Sequence, residues 1–364
     1  MYSTIPVKTS STDFYSITIG ENLMNEVSQF ISTYYSSEKL FIIIDEQVYK
    51  SHSSLIENSL GEGYKKVIKY VVPSGEKHKS IEQFSSIVDF MLQNGLERST
   101  PLLAIGGGVI GDLSGFVAAS VLRGIPLIHI PTTLLAMVDS SIGGKTGVNH
   151  STGKNLIGAF YQPKAVFADV HFLETLPKKE WINGLSEIIK YGMIEAPEIL
   201  EEIKALTLNT TMASPEKWIP LIKKSANIKV NIVSRDVKES GVREFLNFGH
   251  TFAHVIERKG NYTDFSHGEA VFAGMFGAIA ASNFDGANIN ASNLLQFKSL
   301  YNFKLNKIGN DVKELTELML RDKKVKNKTI RLVLLEKMGK PVVKSFDHIQ
   351  NIEQSWEYLI SEFS

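Results

Sequence analysis

The sequence contains no cysteine, and this absence excludes two classes of site. Without thiols the chain can form no disulfide bond, and it can hold neither a zinc ion nor an iron–sulfur cluster through cysteine. Any divalent metal must then be bound by histidine and carboxylate side chains. A chain without cysteine also suits a reducing compartment, so we expect a cytoplasmic protein.

An excess of charge and a long apolar run are also missing. Lysine and arginine together number 39, as do aspartate and glutamate, so net charge gives no indication of nucleic acid or of a membrane surface as a partner. The longest apolar run, Val271–Ala281, is too short to cross a bilayer, and residues 1–16 show no signal-peptide pattern. We therefore expect a globular protein that binds neither nucleic acid nor membranes, with room in its 364 residues for two domains.

What the sequence does contain is a glycine-rich turn between a strand-like and a helix-like segment. Leu102–Ile105 is apolar, Gly106–Gly111 follows with the spacing GxGxxG, and helical spacing resumes at Gly115. Glycine lets the backbone approach a pyrophosphate closely, and the first turn of a helix offers unpaired N–H groups. The turn indicates a dinucleotide site, although the same glycines also suit a tight strand–helix corner without any ligand.

The acidic residue that normally accompanies this motif is displaced. A carboxylate about 20 residues beyond the glycines usually holds a ribose hydroxyl. No carboxylate lies between Asp112 and Asp139, whereas Asp45 directly follows the apolar segment Leu40–Ile44. We therefore expect the adenosine end of a dinucleotide at Asp45 and its pyrophosphate at Gly108–Gly111.

The first half of the chain alternates strand-like and helix-like segments, which is typical of an α/β layer. The pattern predicts strands at Phe14–Ile19, Leu40–Ile44, Lys66–Val72 and Leu127–Ile130, and a helix at Ile81–Gln93.

Polar residues follow two of these strands. Ser74–Lys79 is either a solvated loop or a cofactor-binding loop, and Thr132-Thr133 either caps a helix or hydrogen-bonds a ligand. Residues 137–155 are polar, rich in glycine and without periodicity, which predicts a long functional loop. The side chains of this loop that suit a phosphorylated, hydroxylated substrate are Asp139, Lys145, Lys154 and Asn155.

From about Glu180 onward the sequence has helical patterns, interrupted by two extended segments at Asn302–Lys307 and Ile330–Leu335. The predicted helices are Glu180–Ile194, Pro197–Leu206, Ile219–Val233, Thr251–Lys259 and Gly268–Asn283. We place the domain boundary between residues 178 and 179. The predicted fold is an N-terminal α/β domain (1–178) with a Rossmann-like sheet, followed by an all-α C-terminal domain (179–364).

Histidines concentrate in one part of the second half. His250 and His254 lie one helical turn apart on one face, and His267 follows soon after. With Glu187 as a carboxylate partner, two histidines and an open position form a catalytic zinc arrangement, and spacing favours His250 and His254 as the pair. The alternative is that these histidines only make hydrogen bonds. Lys190 shares the helix face of Glu187, where a salt bridge is its simplest interpretation.

Eight longer motifs are more specific than any of these features alone. They are GGGVIGDLSGFVAAS (106–120), LRG (122–124), PTTLLAMVDSSIGGKTGVNH (131–150), GKNLIGAFYQP (153–163), FLETLP (172–177), GLSEIIKYG (184–192), LNFGHTFAHVIE (246–257) and HGEAV (267–271). Together they resemble the 3-dehydroquinate synthase family, over essentially the whole chain and most densely from 102 to 271. The sequence departs from the family at Ala253, where glycine is common, and in the segment after Lys324, which lacks a common glycine.

The resemblance implies a homodimeric lyase that uses NAD and one divalent ion per subunit, zinc or cobalt, in a cleft between an α/β NAD-binding domain and a helical domain. Such an enzyme converts 3-deoxy-D-arabino-heptulosonate 7-phosphate into 3-dehydroquinate and phosphate, the second step of the shikimate pathway to the aromatic amino acids. NAD⁺ oxidises C5 transiently, phosphate is eliminated, C5 is reduced again, and the opened ring closes by an intramolecular aldol step.

The resemblance also implies a role for individual residues. The family pattern assigns the metal to Glu187, His250 and His267, which departs from the spacing argument, and it assigns proton transfer near the phosphate to His254. The implied catalytic residues are Glu239, His254, Lys145, Lys190 and Asn247. The implied substrate contacts are Arg123, which acts on the neighbouring subunit's site, and Asp139, Lys145, Asn155, Lys190, Lys229, Arg243, Asn247, His254, Lys323 and Lys324. The implied cofactor contacts are Asp45, Ser74, Gly75, Glu76, Lys77, His78, Lys79, Gly108, Val109, Ile110, Gly111, Asp112, Thr132, Thr133, Lys145, Lys154, Phe172, Leu173, Glu174, Thr175 and Asn183.

Three alternatives compete with this interpretation. Another sugar phosphate cyclase, such as a 2-epi-5-epi-valiolone or 2-deoxy-scyllo-inosose synthase, would differ at substrate contacts, where Asp139, Lys190 and Asn247 match the dehydroquinate type. A metal-dependent dehydrogenase of the glycerol dehydrogenase kind would release NADH and would have no use for the anion-binding residues. A non-enzymatic relative would have no reason to retain competent side chains at every one of these positions.

Overall fold

The computed structural model describes residues 2–10, 14–60, 64–209, 214–239, 241–301, 303–320, 330–346 and 349–364. Contacts divide the chain into two compact units, Met1–Trp181 with Thr210–Lys238 and Ile182–Asn209 with Glu239–Ser364. The strands are β1 (Ser3–Lys8), β2 (Phe14–Gly20), β3 (Lys39–Asp45), β4 (Lys66–Val72), β5 (Leu102–Gly106), β6 (Leu127–Pro131), β7 (Lys145–His150), β8 (Gly153–Phe160), β9 (Ala165–Asp169), β10 (Ile330–Lys337) and β11 (Lys340–Phe346). The helices are α1 (Met24–Tyr34), α2 (Glu46–Leu60), α3 (Ile81–Gln93), α4 (Gly108–Ser120), α5 (Lys178–Ile194), α6 (Glu198–Asn209), α7 (Ile219–Arg235), α8 (His250–Lys259), α9 (His267–Phe284), α10 (Ser292–Leu295), α11 (Val312–Leu320) and α12 (Ile349–Glu362).

The first unit is built on a single large sheet. Within its described residues, seven strands lie in the order β1-β2-β9-β6-β5-β3-β4. β1 pairs with β2 in antiparallel orientation, and the remaining neighbours are parallel. Since parallel strands point the same way, the segments that follow β3, β4, β5, β6 and β9 all emerge at the carboxyl edge of the sheet. The predicted α/β class and the strand assignments of the first half are confirmed.

The direction in which the chain winds reverses between β3 and β5. From β3 the chain passes through α2 to β4 on one side, whereas from β5 it passes through α4 to β6 on the other side. The connections therefore diverge, and α/β sheets bind ligands in the crevice that opens at such a point. Asp45 ends β3 and Gly106 ends β5, so the two segments predicted to hold a dinucleotide flank this crevice.

The uninterrupted apolar run of β3 reflects burial of both faces of the sheet. Phe41 and Ile43 pack into a core with residues of α3 and α4. Leu40, Ile42 and Ile44 pack into a second core with residues of α1 and α2. The sheet is thus covered by helices on both sides, which leaves its carboxyl edge as the place for polar, functional side chains.

The prediction of a long irregular loop over residues 137–155 was wrong. Ala136–Ser140 is a short π-helical segment, and β7 and β8 form an antiparallel hairpin. A Cβ atom on Gly158 would lie only 2.0 Å from the carbonyl oxygen of Thr146, so these strands approach through glycine. Glycine at such positions removes the alternation of side chains by which a strand is identified in a sequence.

The second unit is organised around α9, which packs against α8, α12 and β10. Gly249, just before α8, has a φ angle of +79°, and a Cβ atom on Gly274 of α9 would lie 2.2 Å from its carbonyl oxygen. These two glycines let α8 and α9 pack closely. The unit is mainly helical as predicted but not all-α, because β10 and β11 pair in antiparallel orientation. The extended segment predicted near residue 305 is instead a 3-10 turn, Leu305–Ile308. No helix of the described chain is long and apolar enough to cross a membrane.

The contact-based division departs from a single boundary between residues 178 and 179. The chain enters the second unit after Trp181, but Thr210–Lys238 returns to the first. This segment contains α7, which packs against β1, β2 and Ala136–Ser140. Helical periodicity specifies that α7 has an apolar face, whereas only the folded structure shows which partner covers that face.

Candidate active site

Three side chains from three helices of the second unit converge on one point. Glu187 lies in α5, His250 is the first residue of α8, and His267 is the first residue of α9. Oε1 of Glu187 lies 3.6 Å from Nε2 of His250 and 3.4 Å from Nε2 of His267. One ligand atom from each residue lies within 4.8 Å of the others. Among the described residues, no other group of three or more histidine and carboxylate side chains converges in this way.

Local sequence signals fix where the two histidines lie. Ser266 and Glu269 form a capping box, in which the Ser266 side chain accepts from the Glu269 N–H and the Glu269 carboxylate accepts from the Ser266 N–H. This box makes His267 the first residue of α9. The left-handed conformation of Gly249 likewise precedes His250 at the start of α8. Both imidazoles therefore project from helix N-termini.

The outer nitrogen of each imidazole has an acceptor that orients the ring. Nδ1 of His250 lies 3.3 Å from the carbonyl oxygen of Phe248, which can only accept a hydrogen bond. Nδ1 of His267 lies 3.5 Å from Oε1 of the buried Glu257. With a proton on Nδ1, each ring presents the lone pair of Nε2 toward Glu187, which is the arrangement of metal-binding histidines.

The electrostatics of the group favour a cation. Oε2 of the buried Glu187 accepts from Lys190, whereas Oε1 has no hydrogen-bond partner among the described residues. A buried carboxylate oxygen without a donor is costly unless a cation occupies its free side. Burial by itself lowers the pKa of His267, but the neighbouring carboxylates of Glu187 and Glu257 outweigh this effect and raise that pKa to about 10. The donor set therefore fits a divalent ion.

The structure does not bring together the pair that helical spacing favours. The rings of His250 and His254 have centroids 6.0 Å apart and planes at 88°. His254 lies outside the group that contains Glu187 and His267. The spacing correctly places both histidines on one helix face, but the third ligand comes from a different helix, which spacing within one helix cannot identify.

Further predicted residues of the second unit are held in fixed positions. Nδ2 of Asn247 donates to Oε1 of Glu239 over 3.0 Å, and Glu239 has a left-handed φ of +57°. Arg243, in the 3-10 segment Val242–Asn247, is buried, as is Lys190 beside Glu187. Two buried cations are unusual in a protein interior, and they suit an anionic ligand.

In the first unit, Asp139 and Lys229 form a pair. Nζ of Lys229, from α7, lies 2.7 Å from Oδ1 of Asp139 and donates to the Asp139 carbonyl oxygen over 2.6 Å. These residues are 90 positions apart in the sequence, so the return of α7 to the first unit is what brings them together. Lys145 begins β7, and Asn155 lies in β8 with a left-handed φ of +54°.

A buried lysine links three segments that carry predicted cofactor or substrate residues. Nζ of Lys79, after β4, lies 2.5 Å from Oδ2 of Asp112 in α4 and 2.5 Å from Oδ1 of Asn155 in β8. Burial raises the pKa of Asp112, and Lys79 opposes this shift. Lys79 therefore connects a predicted cofactor residue with a predicted substrate residue inside one unit.

The carboxylate of Asp45 is part of a hydrogen-bond network at the end of β3. Its Oδ1 accepts from Ser74 Oγ over 2.7 Å and from the N–H of Gln47 over 2.8 Å. In the segment that follows β4, Oε1 of Glu76 accepts from Nδ2 of Asn149 over 2.8 Å. Both carboxylates are thus fixed at the carboxyl edge of the sheet.

The two hydroxyls after β6 differ in their environment. Thr133 Oγ1 accepts from the N–H of Ala136 over 3.1 Å, which is the helix-capping arrangement. Thr132 is buried, and its hydroxyl has no hydrogen-bond partner among the described residues. Thr133 therefore caps a helix, and Thr132 is the hydroxyl that remains available for a hydrogen bond to a ligand.

The other predicted positions divide between the two units. Several occupy the carboxyl edge of the sheet: Gly75, Lys77 and His78 after β4, Gly108, Val109, Ile110 and Gly111 in the first turn of α4, and Phe172, Leu173, Glu174 and Thr175 after β9. Lys154 lies in β8, and Arg123 ends a 3-10 turn with a φ of +63°. Asn183 belongs to the second unit, where its Oδ1 accepts from the N–H of Gly268 over 3.1 Å. Lys323 and Lys324 lie outside the described residues.

Sequence reasoning missed two residues that contact predicted ones. Glu257 lies seven residues after His250 on the same helix face, and that spacing is a signal that would have identified it. Nε2 of His52 lies 2.8 Å from Oγ1 of Thr175, a contact between residues 123 positions apart that no local pattern indicates.

Comparisons with known proteins identify the same family that the sequence motifs resemble. Residues 69–183 match the family described as 3-dehydroquinate synthase N-terminal, and residues 184–325 match 3-dehydroquinate synthase C-terminal. The 3-dehydroquinate synthase of Rippkaea orientalis is 39% identical over 350 residues, which cover 93% of this chain and 94% of that protein. The 3-dehydroquinate synthase of a Nostoc species is 38% identical over 353 residues, which cover 94% and 97%.

A solved structure extends the comparison to a related activity. A 2-deoxy-scyllo-inosose synthase complexed with carbaglucose-6-phosphate, NAD⁺ and Co²⁺ superposes with a TM-score of 0.83 at 26% identity, covering 97% of this chain and 99% of that one. The two family matches together span most of the chain, and relatives near 40% identity cover nearly all of it. The chain belongs to the 3-dehydroquinate synthase family.

Proposed function

We propose that this chain catalyses the conversion of 3-deoxy-D-arabino-heptulosonate 7-phosphate to 3-dehydroquinate and phosphate, with bound NAD and one divalent ion per subunit. The observation that carries the proposal is the convergence of Glu187, His250 and His267 in a chain 39% identical to a 3-dehydroquinate synthase. Zinc or cobalt suits a ligand set of two imidazoles and one carboxylate. The solved 2-deoxy-scyllo-inosose synthase contains NAD⁺ and Co²⁺, which supports the same pair of cofactors here.

The residues present fit both groups. Glu187 Oε1 and the Nε2 atoms of His250 and His267 offer three ligand atoms to a cation. The crevice between β3 and β5, with Asp45 on one side and the first turn of α4 on the other, fits a dinucleotide. A bound NAD⁺ would supply reversible hydride transfer at C5, and a divalent ion held by Glu187, His250 and His267 would supply a Lewis acid for the C5 oxygen.

The residues of this chain supply the remaining chemistry. Once C5 is a ketone, the proton on C6 is acidic, and its removal with departure of phosphate from C7 breaks one C–H and one C–O bond. We assign this proton transfer to His254. Lys190 and Arg243, both buried, stabilise the anionic substrate and the negative charge that develops on it. After C5 is reduced again, the ring opens and C7 attacks the C2 carbonyl to close the carbocycle.

We assign a second acid–base role to Glu239, which pairs with Asn247. The hydrogen bond from Asn247 to Glu239 holds the carboxylate in one orientation. In the first unit, Lys229 and Asp139 supply a cation and an acceptor for phosphate and hydroxyl groups. These side-chain types are what a substrate with one phosphate, one carboxylate and several hydroxyls requires.

We also propose that the active form is a homodimer in which Arg123 contacts the partner's substrate. Leu122 and Arg123 both have left-handed φ angles, +49° and +63°, in one turn. Such angles are costly for residues other than glycine and are usually retained where the shape of a turn is needed. The exposure of the Leu122 side chain supports an intersubunit contact at this turn.

A substrate panel tests the assignment. Purified protein with NAD⁺ and Co²⁺ is given heptulosonate phosphate, glucose 6-phosphate or glycerol in separate reactions, and phosphate and NADH are followed. We expect phosphate only from heptulosonate phosphate, without accumulation of NADH. Phosphate from glucose 6-phosphate would indicate an inosose-type cyclase, and NADH from glycerol would indicate a dehydrogenase.

A further inference from the structure

A buried chain of hydroxyl groups lies directly behind two of the metal-binding positions. Ser186 precedes Glu187 in α5, and Gly268 follows His267 in α9. Oγ of Ser186 lies 2.7 Å from the carbonyl oxygen of Gly268 and 2.7 Å from the hydroxyl oxygen of Tyr301. Ser186 is fully buried and Tyr301 nearly so. These hydrogen bonds therefore join the side chain of Ser186, next to Glu187, to the backbone of Gly268, next to His267.

The direction of these hydrogen bonds follows from the groups involved. A carbonyl oxygen can only accept, and a serine hydroxyl has a single proton to donate. Ser186 therefore donates to Gly268, and Tyr301 donates to Ser186. Burial raises the pKa of Tyr301 above its ordinary value, so its hydroxyl keeps this proton at neutral pH.

Tyr301 also determines which of two carbonyl oxygens, that of Gly268 or that of Ile182, accepts the proton of the Ser186 hydroxyl. Oγ of Ser186 lies 3.2 Å from the carbonyl oxygen of Ile182, one turn earlier in the same helix, and serine in a helix commonly bonds back to that position. The ring of Tyr301 stacks on Phe272 of α9 with centroids 3.8 Å apart and planes at 5°. A donor fixed in this way holds the Ser186 hydroxyl toward α9.

The two helices are in close contact at this point. A Cβ atom on Gly268 would lie 2.5 Å from the Cα atom of Asn183, so only glycine allows this approach. Asn183 also accepts from the N–H of Gly268. The first turn of α9 is thus bonded to α5 through both backbone groups of Gly268.

We propose that Ser186 and Tyr301 are positioning residues for the divalent metal, because they fix the distance between Glu187 and His267. The inference rests on the proposed role of Glu187, His250 and His267 as metal ligands. Groups that orient metal ligands change metal affinity by about 10- to 100-fold when they are removed. The hydroxyl chain contacts no predicted ligand atom, so its effect passes through the backbone beside each ligand.

Two conservative variants test the proposal. Tyr301→Phe removes only the hydroxyl and keeps the ring on Phe272, and Ser186→Ala removes the central hydroxyl. Metal-free full-length protein is titrated with Co²⁺, and the visible absorption of the bound ion gives both the affinity and the ligand geometry. We expect Co²⁺ affinity to fall about tenfold or more in Ser186→Ala and by a smaller factor in Tyr301→Phe, each with a changed spectrum. In the Ser186→Ala background, Tyr301→Phe should cause little further loss of Co²⁺ affinity, because the hydrogen bond between the two hydroxyl groups is already absent.

Ser282→Ala provides the matched control. Like Ser186 in α5, Ser282 in α9 is a buried helix serine. Its Oγ accepts from the N–H of Leu335 and donates to the carbonyl oxygen of Ala278, far along the helix from His267. We expect Ser282→Ala to lower the melting temperature while Co²⁺ affinity and spectrum stay unchanged. If Ser186→Ala and Tyr301→Phe affect Co²⁺ binding no more than Ser282→Ala does, the proposal is overturned.

Failure of the metal assignment itself is recognised separately. If Glu187→Ala binds Co²⁺ as wild type does, the ion is held elsewhere, and both the ligand assignment and the positioning proposal are overturned. If wild type binds Co²⁺ at these residues but releases no phosphate from heptulosonate phosphate, the proposed function fails, while the effects of Ser186→Ala and Tyr301→Phe on Co²⁺ affinity still support the positioning proposal.

Discussion

Oε1 of Glu187 lies 3.6 Å from Nε2 of His250, and no described residue donates a hydrogen bond to that oxygen. A buried carboxylate is normally satisfied by donors on both oxygens. Here one oxygen accepts from Lys190, and the other faces two imidazole nitrogens. This relationship is the strongest structural argument for a bound cation, and it can be tested independently of catalysis.

His267→Asn and His254→Asn form a matched pair for the metal site. Loss of a ligand should weaken Co²⁺ binding by more than about 100-fold in His267→Asn, because an outer contact alone is worth 10- to 100-fold. His254→Asn should bind Co²⁺ normally and lose turnover, since His254 lies outside the group. Equilibrium dialysis measures the first effect and phosphate release the second. Weak Co²⁺ binding in His254→Asn with normal binding in His267→Asn would restore the pair that spacing favours.

Glu257→Gln should lower metal affinity while the chain remains folded. The buried Glu257 carboxylate lies 3.5 Å from Nδ1 of His267, and its charge makes the imidazole a better ligand. We expect about tenfold weaker Co²⁺ binding, measured by dialysis against metal-free protein. Glu314→Gln is the control, because Glu314 pairs with Lys259 on the exposed side of α8. Equal affinities in the two variants would show that Glu257 does not act on His267.

Lys79→Met should weaken NAD binding. The variant removes a charged donor from both Asp112 and Asn155, and hydrogen bonds to charged groups contribute about 1.5–3 kcal/mol each. An affinity loss on the order of tenfold or more is expected, measured by quenching of intrinsic fluorescence on titration with NAD⁺. Lys69→Met serves as the control, since Lys69 lies on the edge strand β4 and pairs with the exposed Glu57 of α2. Unchanged NAD affinity in Lys79→Met would contradict the assignment of this network to the cofactor.

Stability should decrease in mild acid because of His129. This residue of β6 is buried, and burial lowers its pKa to about 4, against about 6.5 in an unfolded chain. Below pH 6.5 the unfolded chain gains a proton that the folded chain does not accept until about pH 4, so folding is disfavoured progressively between these values. The full effect is roughly 3 kcal/mol.

Melting temperatures measure this effect. Wild type should lose more stability than His129→Leu when the pH falls from about 7.5 to about 5. His150→Leu, which replaces an exposed histidine of β7, should follow wild type. Identical pH profiles for wild type and His129→Leu would show that His129 is not the group responsible.

The sequence contains enough local information to predict most of the first unit. β4 and α3 occupy the residues that periodicity predicts, Lys66–Val72 and Ile81–Gln93, because each pattern repeats over several residues. The hairpin of β7 and β8 was missed because glycines replace the side chains that would alternate. The return of α7 to the first unit was missed because a helix face does not specify its partner.

The candidate site shows the same limit. Spacing within a helix finds His254 from His250, but His267 reaches the group only through the packing of α8 on α9. His267 was identified as a ligand only from the family motifs, because members of a family share the packing that brings these helices together. Neither source indicated Ser186 and Tyr301, whose contact joins residues 115 positions apart.

The most direct test of the proposed function measures three compounds in one reaction. Purified protein receives heptulosonate phosphate, a catalytic amount of NAD⁺ and Zn²⁺, and phosphate, 3-dehydroquinate and NADH are measured together, before and after chelation of the metal. We expect equal amounts of phosphate and 3-dehydroquinate, no accumulation of NADH, and loss of both products on chelation. Accumulation of NADH in proportion to substrate consumed, or full activity after chelation, would contradict the proposed function.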